Sequence, residues 1–266
     1  MASSLYYIIP ALGGYALASF YLLKNPHILH KKKRVAFYCR HISHRAGSGE
    51  RIESTMEAFR HAEEAGTHML EMDCHMTKDG HVIVSHDENL LRQTGVDVNI
   101  SSVNLEDLPL YKERLEVTFR EGYFSTGTDR KFALLEDVFR SFPKMPINIE
   151  IKEDNDQLIK KNPSMPYMFT MVRGLQLLLL YYTGLLPFIP LGESFLQSYL
   201  PHVFNRTYIP DSPILRNRFV HLFVCNELTD IEEAFARGAT GVMTDYPTLL
   251  TDYLRTHPQI TPPCSH

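Results

Sequence analysis

LEMDCHMTKDG at residues 70–80 and VIVSHDENL at 82–90, with HISHRAG at 41–47 before them and INIEIK at 147–152 after, place ionisable residues at the ends of strand-like runs. Side chains two apart on a strand share a face, so Glu71 and Asp73 point the same way. In INIEIK the isoleucines Ile147, Ile149 and Ile151 take one face and leave Asn148, Glu150 and Lys152 on the other. Burying Glu71, Asp73 and Glu150 close together as free anions carries a prohibitive cost of desolvation and repulsion, so a cation belongs between them. One hard divalent ion with oxygen ligands, Mg2+ or Ca2+, suits that set, and no Cys or multi-His group points to zinc. His44 and His86 fall at the C-terminal ends of their strands, where a parallel barrel places its catalytic groups. An imidazole of near-neutral pKa passes a proton in either direction.

With these residues in view, the chain resembles the glycerophosphodiester phosphodiesterase family, and within it the membrane-anchored lysophospholipase D branch of vertebrates. The family's motifs are an H-R pair, an E-x-D, an H-D and an E-I-K on successive strands. Here they read His44–Arg45, Glu71 and Asp73, His86–Asp87, and Glu150 with Lys152. The family's P-E-N-T segment appears as Ile52, Glu53, Ser54 and Thr55, which keeps Glu53 as a ligand of the metal or a support to its ligands. Ser54 replaces the Asn and can cap the next helix, with Glu57 completing an S-x-x-E box. Ala46 stands where the family has Gly, and Phe223 where it usually has Trp. The resemblance implies a TIM-type (β/α)8 barrel over 41–257 and a metal-dependent hydrolysis of lysoglycerophospholipids. The products are lysophosphatidic acid and choline, ethanolamine or an N-acylethanolamine. In that chemistry His44 and His86 share the acid and base roles. Arg45 and Lys152 neutralise charge on the phosphate.

A chain of 266 residues, 44% of them hydrophobic, is long enough for one large domain. A net charge of -4 excludes the large basic face of a nucleic-acid-binding protein. Cys39, Cys74, Cys225 and Cys264 have neither disulfide nor ligand spacing and read as reduced thiols. No protein partner is implied.

The first 23 residues carry no charge, and Leu5–Leu23 is long enough to cross about 30 Å of hydrocarbon. This gives a transmembrane anchor over 1–24 and a basic juxtamembrane linker over 25–40, with Lys24, Lys31, Lys32, Lys33, Arg34 and Arg40. The positive-inside rule then puts the catalytic part in the cytosol, on the endoplasmic reticulum or another internal membrane, against membrane lipids. A second apolar stretch, about 174–192, cannot be a second span if the strands beyond it are to join the same barrel. It reads as a surface helix or hairpin facing the membrane, or as an oily helix on the barrel wall.

Strands are expected at 41–45, 68–74, 82–86, 147–152, 167–171, 221–226 and 241–245, helices at 54–65 and 229–236, and an insertion at about 88–146 with a short helix near Leu135–Phe142. The stretch from Lys152 to Tyr167 holds one helix where the family fits a helix, a strand and another helix. The barrel therefore reads as lacking one βα unit, with HVFNRTYI at 202–209 as a displaced substitute. Two readings follow: an active lysophospholipase D, or an inactive membrane-bound lipid-binding or regulatory form whose shortened barrel has lost its site. Hydrolysis of soluble glycerophosphodiesters is a third, opposed by the apolar segments.

Overall fold

The computed structural model describes residues 2–30, 37–151, 166–199 and 219–258. Lys31, Lys32, Lys33, Arg34, Lys152, the 202–209 segment and Cys264 lie outside the described residues. In chain order the elements are α1 (Ala2–Lys24), β1 (His41–Ser43), α2 (Met56–Glu64), β2 (Met69–Met76), β3 (Val82–Val84), α3 (Leu91–Thr94), β4 (Arg114–Glu116), β5 (Phe124–Thr126), α4 (Leu135–Ser141) and β6 (Ile147–Glu150). After them come α5 (Met171–Tyr182), β7 (Phe195–Tyr199), β8 (Phe219–Phe223), α6 (Leu228–Ala236), β9 (Gly241–Thr244) and α7 (Pro247–Thr256). The chain divides into two compact units, Phe37–Pro163 with Leu222–His266, and Met1–Ala36 with Ser164–His221.

The first of these units carries the mixed sheet. β1 pairs in parallel with β2 and β9, and β2 pairs in parallel with β6, giving the order β6-β2-β1-β9. Parallel strands are joined by helices that cover the sheet, and α2 does this between β1 and β2. Phe59, Ala58 and Ala62 on α2 pack against Leu70 and Met72 of β2 and against Val138 and Phe142 from the α4 region. Each fully buried side chain of Leu or Phe size contributes roughly 1.5–3 kcal/mol. Ile147 and Ile149 join this cluster, leaving Asn148 and Glu150 on the opposite face of β6, as the alternation predicts.

β3 differs from the expectation. It runs antiparallel to the second half of β2, with Cys74 opposite Val84 and Met76 opposite Val82. The turn is closed by Thr77 N–H to His81 O (2.9 Å) and Gly80 N–H to Thr77 O (3.0 Å), with Gly80 at φ 86°. Residues 77–81 are far too few for a parallel crossover, so His86 arrives on a hairpin rather than on a barrel strand. Among the described residues the strands form a curled mixed α/β sheet, a half-barrel, in place of eight closed strands.

The 88–146 insertion has its own core, in which Ile52, Ile83, Leu90, Ile100, Tyr111 and Leu115 are buried together, and it carries the β4–β5 hairpin. Its helix falls at Leu135–Ser141, where one was expected.

The capping box does not form. Ser54 sits in the left-handed region at φ 59°, whereas an N-cap needs extended backbone. Thr55 takes the position instead, its Oγ1 accepting from Ala58 N–H at 3.2 Å. Glu57 accepts from Thr128 N–H and Asp129 N–H, at 2.8 and 2.7 Å, and so ties the insertion to α2.

In the other unit, residues 167–171 do not form a strand. Met168 makes one parallel bridge to Phe195, and Thr170 caps α5 by accepting from Arg173 N–H at 3.3 Å, so the helical start wins over β-propensity. β7 over Phe195–Tyr199 is a strand the alternation did not reveal. α1 is the one helix among the described residues long and apolar enough to cross a bilayer, and Tyr6, Ile9, Leu12 and Leu17 are exposed along it.

Candidate active site

Five strands of the sheet unit, β1, β2, β3, β6 and β9, bring the site together. Glu71 and Asp73 lie two apart on β2, and the register sets Asp73 beside Glu150 on β6. Each offers an oxygen, and the three oxygens lie within 4.8 Å of one another. Glu71 and Asp73 are buried, whereas Glu150 is exposed and forms the solvent side of the cluster. Burial first, and the neighbouring Asp73 second, push the Glu71 carboxyl up from 4.5 to about 7. So crowded an acidic set fits a divalent cation, which removes the repulsion that raises that value.

His44 and Arg45 follow β1 in a short turn that bends the chain sharply. Arg45, Ala46 and Gly47 have φ of 45°, 64° and 89°. This conformation turns the Arg45 N–H to Glu71 Oε2 at 2.8 Å and leaves the His44 ring free to reach β9. There His44 Nδ1 meets Asp245 Oδ1 at 2.6 Å. Asp245 is fully buried and also accepts from Ser48 Oγ and from Asn226 Nδ2, at 2.5 and 2.7 Å. Burial opposes charge on His44, but the Asp245 carboxylate and then Glu71 outweigh it and raise the imidazole above its ordinary value. Burial likewise opposes charge on Asp245, and His44, Ser48 and Asn226 together hold it below the usual carboxylate range.

His86, partly exposed, directs Nδ1 to Asp87 Oδ1 at 2.6 Å. Arg92 Nε donates to the other oxygen of Asp87, also at 2.6 Å. Against its own burial, Asp87 is held low by hydrogen bonds from His86 and Arg92. Both imidazoles therefore have one nitrogen on a carboxylate and the other directed elsewhere, the arrangement that fixes tautomer and orientation in acid–base pairs.

Glu53 is not part of the acidic cluster. Its buried carboxylate accepts from Arg45 Nη1 at 3.3 Å, Arg92 Nη2 at 2.6 Å and Gln93 Nε2 at 2.9 Å. It fixes two cations rather than offering a free ligand oxygen. Arg45 is almost wholly buried and also donates to Thr118 Oγ1 at 3.1 Å, while Phe119 stands 5.6 Å from the His44 ring. Asp87 belongs to the H-D motif read from the sequence, whereas Asp245, Arg92, Thr118 and Phe119 were not among the expected site residues. Asp245 had a legible signal, since GVMTD ends a strand-like run on a carboxylate just as the other motifs do.

The model of the glycerophosphoryl diester phosphodiesterase family matches residues 44–179. Human lysophospholipase D GDPD3 is 42% identical, over 97% of this chain and 98% of that protein. This chain belongs to that family. Human lysophospholipase D GDPD1 is 40% identical over 95% of this chain and 98% of its own length. The fold is shared with a glycerophosphoryl diester phosphodiesterase domain from Mycobacterium tuberculosis, at TM-score 0.62 and 14% identity, covering 81% of this chain and 99% of that one. The Agrobacterium tumefaciens glycerophosphodiester phosphodiesterase gives TM-score 0.58 at 15% identity, over 80% of this chain and 99% of that one. The pairing with GDPD3 runs over 311 positions and this family member has 266 residues, so at least 45 of those positions are filled only by the human protein.

Proposed function

We propose that the chain is a membrane-anchored lysophospholipase D. It hydrolyses lysophosphatidylcholine, lysophosphatidylethanolamine or N-acyl lysophosphatidylethanolamine to lysophosphatidic acid and the free amine or N-acylethanolamine. The observation that carries this reading is the acidic cluster of Glu71, Asp73 and Glu150 flanked by two imidazoles, each held by its own carboxylate. Similarity to the lysophospholipases D supplies the substrate class.

Mg2+ or Ca2+ held by Glu71, Asp73 and Glu150 would supply Lewis acidity toward a phosphoryl oxygen. The protein's own groups do the rest. Arg45, fixed by Glu53 and Thr118, adds positive charge beside the cluster, and the family resemblance gives Lys152, outside the described residues, the role of neutralising charge on the phosphate. His44, whose charged form Asp245 favours, gives a proton to the departing alkoxide of choline or ethanolamine. His86, with Nδ1 on Asp87, takes the proton of the attacking hydroxyl. If that hydroxyl is the glycerol 2-hydroxyl of the substrate, a cyclic phosphate forms first and water then opens it. Such intramolecular attack has effective molarities on the order of 10⁵–10⁸ M, and a free 2-hydroxyl is what a lyso lipid has and a diacyl lipid lacks. α1 spans the membrane and, with the basic linker on the cytosolic side, holds the catalytic unit at an internal membrane.

The test is release of lysophosphatidic acid from lysophosphatidylcholine by detergent-purified protein with Mg2+, with Ca2+ and with EDTA. Metal-dependent release that is lost in Glu71→Ala and His86→Ala, with folding retained, supports the reading. The positions filled only by the relatives favour a second one, an inactive lipid-binding form, and no release from folded protein selects it.

A further inference from the structure

From Gly174 to Gly192 the chain carries no charged side chain, and the residues that bracket it, Arg173 and Glu193, meet in an ion pair with Nε to Oε1 at 2.7 Å. Ser194 N–H donates to Tyr167 O at 2.9 Å beside that pair. The apolar segment therefore leaves and returns at one place. α5 is its outgoing arm, Thr183 and Gly184 are its tip, and a 3-10 turn over Leu186–Phe188 starts the return. Leu177, Leu186 and Leu191 are buried together, and partly buried Leu23 of α1 packs against them. Met171, Val172, Leu175, Leu179 and Tyr182 are exposed on the outer face of α5, with Leu185 and Phe188 beyond the tip.

The tip is fastened to the anchor helix. Tyr15 Oη donates to Thr183 O at 2.5 Å, Ser19 Oγ donates to Gly184 O at 2.6 Å, and the Tyr15 and Phe188 rings stack with centroids 6.2 Å apart. Pro187 O is met by His30 Nε2 at 2.6 Å. A turn has carbonyls that its own helix cannot satisfy, and in hydrocarbon each must find a protein donor. Two hydroxyls of α1, that of buried Ser19 and that of Tyr15 on the exposed face, meet the carbonyls at the tip. On a helix rising 1.5 Å per residue, Ser19 and Tyr15 lie about 8 and 14 Å from Lys24, the charged end of α1. α5, at 12 residues, reaches about 18 Å, far enough to cross one leaflet of about 15 Å and too short to cross both.

Resting on the reading of α1 as a membrane helix, we propose that residues 171–192 form a re-entrant hairpin. It inserts into the acyl chains of the cytosolic leaflet, is clasped at its tip by Tyr15 and Ser19, and returns to the side it entered from. Its outer face takes lipid tails.

The chain has no Trp, so a single introduced Trp reports alone. In full-length protein reconstituted in phosphatidylcholine vesicles, Tyr182→Trp and Leu179→Trp should be quenched several-fold more by lipids brominated on the acyl chain than by bromide in the water. Phe20→Trp on α1 is the control for the anchor. In microsomes, a membrane-impermeant maleimide should label Thr170→Cys and Pro190→Cys equally and from the cytosolic face, above the background of the native cysteines. Quenching of Phe20→Trp without quenching of Tyr182→Trp places the hairpin outside the bilayer and overturns the proposal. Labelling of only one of the two cysteines shows a second span and overturns it as well. Loss of quenching in Phe20→Trp itself would instead remove the anchor reading.

Discussion

Replacing Glu71 by Gln separates what the site does for chemistry from what it costs in stability. The Gln keeps an oxygen for the Arg45 N–H, which Glu71 accepts at 2.8 Å, but removes the buried charge next to Asp73. The Glu71 carboxyl moves from 4.5 in a free chain to about 7 in the fold. A carboxyl raised on folding binds its proton more tightly in the native state, so metal-free protein loses stability as pH rises from about 4.5 to about 7, and the loss is complete above that window. At about 1.4 kcal/mol per pKa unit the shift is worth about 3 kcal/mol. In EDTA at pH 8, Glu71→Gln should therefore be more stable than the native chain by up to about 3 kcal/mol, or roughly 6–12 °C in melting temperature for a protein of this size. It should also lack the native chain's decline between pH 5 and 8. Saturating Mg2+ or Ca2+ reverses the order, because the ion binds the native cluster and stabilises it by mass action, and turnover is lost in the variant. The assay is a thermal melt across pH in detergent, with EDTA and with metal. A Glu71→Gln chain less stable than the native one in EDTA at pH 8 would refute the reasoning, since His44 and Arg45 would then suffice for the charge and no ion would be required.

Asp245→Asn keeps the side-chain shape but deprives His44 of the carboxylate that holds its Nδ1, and kcat should fall by about two to four orders of magnitude. Because Asp245 raises His44, the alkaline limb of kcat/KM should also move to lower pH, and an unmoved limb would remove His44 as the acid. Glu53→Gln leaves Arg45 and Arg92 short of a buried counter-charge and should cost about 3–5 kcal/mol of stability, read by chemical unfolding; a loss under about 1 kcal/mol would show that the ion cluster does not hold the site. Ser54→Gly removes a left-handed non-glycine and a buried hydroxyl without a hydrogen-bond partner, and should raise stability by about 1 kcal/mol in the same assay, whereas lower stability would mean that the hydroxyl has a role.

The acidic cluster was legible because strand alternation is local: Glu71 and Asp73 share a face at any register, and Glu150 is set apart from the isoleucines of its own strand. The partners of the histidines were harder to find. Asp87 adjoins His86 in sequence, but Asp245 is 201 residues from His44 and meets it only because β9 pairs with β1. The direction of β3 could be read from the short Asp-Gly turn that precedes it, since a parallel partner needs a crossover helix and residues 77–81 leave no room for one. The capping box failed for a reason invisible to pattern matching. The turn that aims Arg45 at Glu71 also bonds Ser54 N–H to Arg45 O at 3.0 Å, and this backbone path forces Ser54 out of the extended region that a cap needs. Ala46 in a left-handed position, φ 64°, belongs to the same turn and explains why a glycine suits it.

The length difference from GDPD3 bears on whether the shortened chain can still work. The three carboxylates of the cluster, the two imidazoles and Asp245 sit on β2 or β6 or follow β1, β3 or β9, and those elements pair with one another within a single compact unit, while Arg92 on α3, Thr118 after β4 and Asn226 after β8 support them. The positions that only the relative fills therefore took none of these residues away. We propose that the length difference acts on the site through the stability of the sheet that holds these groups together. In the proposed metal site β6 contributes Glu150, and Asp73 is the partner that sets its register, so metal binding should track how firmly β6 is held. If β6 frays, Glu71 and Asp73 remain together on β2 with two oxygens for the ion in place of three. The cost then shows as weakened metal affinity before it shows as unfolding. Excess metal would restore turnover to such a chain, whereas it would restore nothing to one that had lost His44 or His86.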